Sequence, residues 1–120
     1  MSNNSPLNIQ RGEIWNINLP PPKGHEQGGN RPGLVLTISY GVIIVIPCTT
    51  NLERLKFDHT HYIAPDSKNG LIQDSVALVF QITSISPKRF INKLGIISPE
   101  DFEIINTLLA DLLKFEIEKD

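Results

Sequence analysis

The chain has one cysteine, one tryptophan and few aromatic residues of any kind. A lone Cys48 cannot close an internal disulfide, which excludes a small secreted scaffold held by staples. A reducing, cytoplasmic setting is therefore expected. Long apolar runs are also missing. The longest, Gly41 to Pro47, falls far short of the roughly 20 residues that a membrane helix needs. Met1 to Pro6 carry no basic patch followed by an apolar stretch, so no signal peptide is expected. Positive charge is not in excess: the net charge is −2, which argues against a generally basic nucleic-acid binder. No internal repeat, low-complexity tract, GxGxxG, P-loop or G-x-S-x-G is present.

What remains is the composition of one folded domain. The 120 residues are 40% hydrophobic and 20% charged. Residues 1–9 are small and polar and read as a flexible tail, leaving residues 10–120 as a single domain. Gly12 to Leu19 reads as a half-buried strand, with Trp15, Ile17 and Leu19 alternating with Asn16 and Asn18. Pro20, Pro21 and Pro22 end it. After a glycine-rich loop, Arg31 to Ile38 is a second strand. Val42 to Pro47 is a third, apolar throughout and so buried on both faces. Phe57 to Ala64 is a fourth and Ser75 to Ile85 a fifth. The period then changes to that of a helix. Ser98 is an N-cap, Pro99 suits the first turn, and Glu100 and Asp101 match the positive end of the helix dipole. Phe102, Ile105, Leu109, Leu112 and Leu113 follow at helical spacing. The pattern predicts a mainly β protein with one C-terminal helix, a small twisted β-barrel with helical cover.

Few residues suggest chemistry. His59 and His61 lie two apart, with no cysteine or third histidine in local spacing, so they read as exposed strand histidines and no metal site is expected. Cys48 reads as a small buried apolar side chain. The loop from Pro20 to Asn30 carries more signal. It is long, and its glycines allow close approach by another chain. Arg31 follows at the mouth of a strand, where a rigid element can aim it. A second cluster, Pro47-Cys-Thr-Thr-Asn51, gathers two hydroxyls and an amide at a strand end. Taken singly, each also reads as ordinary loop or cap chemistry.

The two segments together are more specific. Arg11-Gly-Glu-Ile-Trp15, then Pro22-Lys-Gly-His-Glu-Gln-Gly-Gly-Asn-Arg-Pro-Gly-Leu-Val-Leu36, then Ile46-Pro-Cys-Thr-Thr-Asn51, resemble the MazF/PemK family of toxins. Asp74-Ser-Val-Ala-Leu78, Gln81-Ile-Thr-Ser-Ile85 and the terminal helix extend the likeness over residues 10–115. The resemblance implies an SH3-like barrel, a homodimer and an endoribonuclease that cuts single-stranded RNA without a metal or other cofactor. It also implies a MazE-like antitoxin whose tail blocks the RNA groove, the pair binding DNA together. Carried over by position, Arg31 matches the catalytic arginine and Thr49 the catalytic threonine. Glu26 and Gln27 match the acid and amide of the loop, with Glu26 a candidate base and His25 its rival. Two departures stand out. Phe80 occupies a position that is acidic in many relatives, and His25 replaces a small residue.

Single-stranded RNA needs cations for its phosphates and flat groups for its bases. Lys23, Arg31, Arg54, Lys56, Lys88 and Arg89 are candidates for the first, and Trp15, Phe57 and Tyr62 for the second, although Trp15 reads better as core. His25, Gln27, Thr50 and Asn51 complete the set of candidate RNA-binding residues. The rivals are a CcdB-like gyrase inhibitor and a catalytically silent binding module of the same fold. Charge bears on the choice once it is divided. Residues 100–120 hold seven acids and two lysines, a net of −5, whereas residues 1–99 hold nine bases and six acids, a net of +3. The acidity is thus concentrated at the C-terminal end.

Overall fold

The computed structural model describes residues 8–21 and 28–114. Seven strands are followed by one helix: β1 (Glu13–Leu19), β2 (Gly29–Ser39), β3 (Val42–Thr49), β4 (Thr60–Ile63), β5 (Ser75–Leu78), β6 (Thr83–Ile85), β7 (Phe90–Ile96) and α1 (Pro99–Leu113). All pairings are antiparallel, in the order β4-β5-β3-β2-β1-β7, with β6 also on β3. The result is a curled, mainly β fold with a C-terminal helix, as the sequence implies.

The curl follows from how β3 is shared. β2 pairs along one of its edges. On the other edge, β5 pairs with Cys48 and Thr49, and β6 pairs with Ile43 to Val45. The sequence reads Ser75 to Ile85 as one strand, but the chain breaks it with a 3-10 turn at Val79–Gln81. The gap falls opposite Ile46 and Pro47, and Pro47 has no N–H for a ladder. The fourth strand is likewise shorter than expected. Asn51 accepts from the Glu53 amide at 3.1 Å and starts a 3-10 turn over Leu52–Lys56. His59 then adopts φ +61°, so extended structure begins only at Thr60. β7 has no counterpart among the expected strands. Its pairing with β1 shifts register twice, and such bulges erase the alternation that marks a strand.

Both faces of the central strands are buried. One cluster joins Ile14, Leu34, Leu36, Ile46, Cys48, Ile63 and Val79 to Ile105 of α1. The other joins Trp15, Ile17, Leu19, Val35, Ile43, Val45 and Phe90. Ile9, within the stretch read as a tail, packs into this second cluster. The helix start is as expected: the Ser98 hydroxyl oxygen accepts from the Asp101 amide at 3.1 Å, with Pro99 next to it. The helix ends at Lys114, whose φ of 64° closes it with bonds to the Ala110 and Asp111 carbonyls. Phe102, Leu108, Leu109 and Leu112 pack on the first cluster, while Leu113, in the last turn, is exposed.

Candidate active site

Antiparallel pairing brings the start of β2 beside the end of β3. Gly33 lies opposite Pro47, so Arg31, two residues earlier, points its chemistry toward Cys48 and Thr49. Arg31 precedes Pro32, which holds it in extended backbone. Its guanidinium is then fixed twice. Nε donates to the Gly28 carbonyl at 3.0 Å, and one terminal nitrogen reaches the Cys48 carbonyl at 3.5 Å. Arg31 is half-buried, and this desolvation lowers its pKa from the usual value. An arginine remains protonated even so.

Thr49 is buried at the strand end, and its hydroxyl oxygen accepts from the Asn51 amide at 3.2 Å. Accepting that bond leaves the hydroxyl hydrogen available for an outside acceptor. Asn30, Arg31, Pro32, Thr49, Thr50 and Asn51 surround an open cavity of about 310 Å³, with Cys48 beneath. Burial pushes the Cys48 thiol up to about 12, so it is neutral and packs as an apolar group. A donor fork and a hydroxyl thus meet at one water-accessible cavity, an arrangement suited to an anion with several oxygens.

The structure gathers Arg31, Thr49, Thr50 and Asn51. Arg54 and Lys56 lie on the adjoining 3-10 turn, with their cationic groups 5.7 and 5.5 Å from the Phe57 ring centre. Lys23, His25, Glu26 and Gln27 lie outside the described residues. Arg89 donates to the Asn18 carbonyl at 3.2 Å, and Asn18 pairs with Asn30 of the cavity. That guanidinium therefore stands at the same end of the sheet as Arg31, with Lys88 next to it in sequence.

Trp15 is a core residue, the reading its sequence favours: it is buried edge-on to Phe90, and its Nε1 donates to Glu13 at 2.9 Å. Two expectations need correcting. The histidines are not simply exposed. His59 Nε2 lies 2.8 Å from Asp111 and His61 Nε2 lies 2.7 Å from Asp101, so both clasp α1 to the sheet. No group of three potential metal ligands occurs among the described residues. Second, Phe80 does not lie within an unbroken strand from Ser75 to Ile85. The 3-10 turn carries it outward, beside Phe57. No alternation in the sequence marks that turn, so the aromatic pair could not be read from the sequence.

Comparison with known proteins gives one family. Residues 10–113 match the model of PemK-like, MazF-like toxins of type II toxin–antitoxin systems. A Mycobacterium tuberculosis protein named endoribonuclease MazF9 is 28% identical over 111 residues, covering 84% of this chain and 92% of that protein. A MazF structure from Deinococcus radiodurans superposes with a TM-score of 0.75 at 24% identity, covering 89% of this chain and 97% of that one. A mycobacterial endoribonuclease in complex with its cognate antitoxin gives a TM-score of 0.71 at 20% identity, covering 92% and 100%. These likenesses establish the small barrel fold. The family match covers nearly the whole chain, and the protein belongs to the PemK-like, MazF-like toxins of type II toxin–antitoxin systems.

Proposed function

We infer that this protein is an endoribonuclease toxin that cuts single-stranded RNA, most simply mRNA, and that Arg31 and Thr49 carry the chemistry. Residues 10–120 would act as one toxin domain in the cytoplasm. The observation that carries the reading is the convergence of the Arg31 guanidinium and the Thr49 hydroxyl on one open cavity. The M. tuberculosis relative's name supports RNA as the substrate, and the mycobacterial complex supports an antitoxin as the partner. By the family resemblance the working form is a homodimer held in check by a MazE-like antitoxin.

The reaction needs only the RNA's own nucleophile. The 2′-hydroxyl attacks the adjacent phosphorus, a new P–O2′ bond forms, and the P–O5′ bond breaks. The products are a 2′,3′-cyclic phosphate and a 5′-hydroxyl. Negative charge grows on the non-bridging oxygens during attack. Arg31 meets that charge with a fork of N–H donors, and Thr49 adds a neutral donor. One proton must leave the 2′-hydroxyl and one must reach the departing oxygen. Arg31 cannot take the first, because its pKa is too high. Glu26 is our candidate base, with His25 second, an imidazole being the side chain whose ordinary pKa lies nearest neutrality. Lys23, Gln27, Thr50, Asn51, Arg54 and Lys56 would position the strand.

The test is cleavage of a labelled RNA in EDTA with the ends mapped. Wild type should give cyclic-phosphate ends, and Arg31→Ala and Thr49→Ala should lose activity. Cleavage that persists in both variants removes these residues from the reaction. No cleavage of any RNA, with tight binding to gyrase, would instead favour a CcdB-like role.

A further inference from the structure

Asn69 is the one asparagine in the chain that glycine follows. Asparagine before glycine is a chemically labile pair. The side-chain amide carbon lies within reach of the next backbone nitrogen, and glycine has no side chain to hinder the approach. The structure shows why both residues are nevertheless here. Gly70 has φ +74°, and a Cβ on it would overlap the Leu94 carbonyl, so the loop closes on β7 only with glycine. Asn69 is completely buried, an unusual place for an asparagine side chain. From there it ties the loop together.

Nδ2 of Asn69 donates to the Ala64 carbonyl at 2.9 Å, and Oδ1 accepts from the Asp66 amide at 3.2 Å and the Leu71 amide at 3.0 Å. The Asp66 carboxylate reciprocates, accepting from the Lys68 and Asn69 amides, each at 2.8 Å. The Lys68 carbonyl accepts from the Ile96 amide at 2.9 Å, which fastens the loop to the sheet. Gly70 itself is exposed, so the protection lies in the Asn69 side chain. Attack by the Gly70 nitrogen would make the side-chain carbon tetrahedral and swing Oδ1 and Nδ2 off their three partners. The departing nitrogen must also pick up a proton, and burial keeps water from it. Folding therefore opposes the reaction twice.

We propose that Asn69–Gly70 is a self-modification site gated by the fold, shielded in native protein and deamidated when residues 64–71 open. The reaction needs only water. The Gly70 nitrogen gives up its proton and attacks the Asn69 side-chain carbon. A new N–Cγ bond forms, the Cγ–Nδ2 bond breaks, and Nδ2 leaves as ammonia with a proton to replace the one lost at Gly70. Water then opens the cyclic imide at either carbonyl, leaving aspartate or isoaspartate at position 69. Neither product suits the loop. Aspartate sets a carboxylate oxygen against the Ala64 carbonyl and buries a charge where the carboxamide had none. Isoaspartate routes the backbone through the side-chain carbon, one methylene longer, and shifts Gly70 off Leu94. Each opening thus risks an irreversible mark, and a marked chain cannot close the loop on β7. This chemistry is independent of RNA cleavage.

The test is peptide mapping by mass spectrometry of protein kept at mildly alkaline pH, in buffer and in guanidinium chloride. Conversion reads as the mass gained when NH is exchanged for O. In denaturant Asn69 should convert faster than every other asparagine, and Gly70→Ala should slow it. In native protein the rate should fall at least roughly 100-fold, the factor that three hydrogen bonds of ordinary net strength supply. Diluting out the denaturant at intervals should return a native fraction that shrinks in step with the modified fraction. Asn69→Asp, a direct copy of one product, should unfold at lower urea than wild type. Equal rates in native and denatured protein overturn the proposal, and so does an Asn69 that outlasts the other asparagines in denaturant. Modified chains that refold with the wild-type yield and midpoint also overturn it, since the loop would then accept the product.

Discussion

Replacing Arg31 is the sharpest test of the site. A guanidinium carries five N–H groups. One goes to the Gly28 carbonyl and one to the Cys48 carbonyl, and the other three have no acceptor among the described residues. The internal bonds aim the group, and the remaining donors are left for a substrate. Removing one well-placed donor to a developing oxyanion costs about 3–4 kcal/mol, or roughly 10²- to 10³-fold in kcat. Arg31→Ala should lose at least that much. The loss should fall on kcat more than on KM, because the charge it meets grows during attack. Stability should change little. The two bonds lost are to carbonyls at the rim of an open cavity, which costs on the order of 1 kcal/mol and shifts Tm by a few degrees. Arg31→Lys should recover only part of the rate, since an ammonium cannot present a planar fork. The assay is a fluorogenic RNA under single-turnover conditions in EDTA, alongside a thermal melt. A loss smaller than tenfold would refute the reasoning. So would full activity in Arg31→Lys, or a fall in Tm of tens of degrees that accounts for the loss.

Three further predictions concern the scaffold. Gly70 has φ +74°, and a Cβ there would overlap the Leu94 carbonyl, so Gly70→Ala should cost at least about 2 kcal/mol in urea denaturation; an unchanged midpoint would mean that Gly70 does not pack against Leu94 of β7. Burial alone would raise the Glu13 pKa, but hydrogen bonds from Trp15 and the Gln10 amide, and the Lys93 ammonium at 3.0 Å, hold it below the ordinary value. Its stabilisation is therefore present above the unfolded pKa of about 4.3 and is lost as pH falls through the lower folded value. Wild type should exceed Glu13→Gln in stability at pH 7, with the gap closing in acid; a gap that widened on acidification would contradict this. Cys48, buried with its thiol pushed up to about 12, should resist thiol reagents at pH 8 until the protein unfolds, and rapid labelling of the native state would argue against its burial.

The parts legible in the sequence are those with local causes. Alternation marked β1, uninterrupted apolar residues marked β3, and the Ser98 cap with Pro99 marked the start of α1. The parts that were hidden depend on partners distant in sequence. Phe90 to Ile96 pairs with β1 through two register shifts, so its side chains never alternate cleanly. The break after Leu78 reflects a missing donor at Pro47, on a different strand. Arg31 and Thr49 could be singled out from motif resemblance. Their meeting depends on the Gly33–Pro47 register, which neither segment encodes alone.

The charge distribution shows the same dependence on tertiary structure. The net of −2 seemed to oppose RNA, and the division along the chain only moved the acids to the C-terminal end. The fold gives two of those acids an internal role. Asp101 receives His61 and also the Ser98 hydroxyl, and Asp111 receives His59. The Asp111 carboxyl is held below its usual pKa first by its hydrogen bond with His59. These carboxylates lie where α1 meets the start of β4, and they do not line the Arg31 cavity. The groups at or beside that cavity are Arg31, Arg54 on the adjoining turn, and Arg89 at the same sheet end. What a phosphate would meet is this local set of guanidinium groups, and the whole-chain charge governs only its distant approach. Binding to RNA should accordingly be weak without the correct sequence, with discrimination resting on this local site and not on a broad basic face.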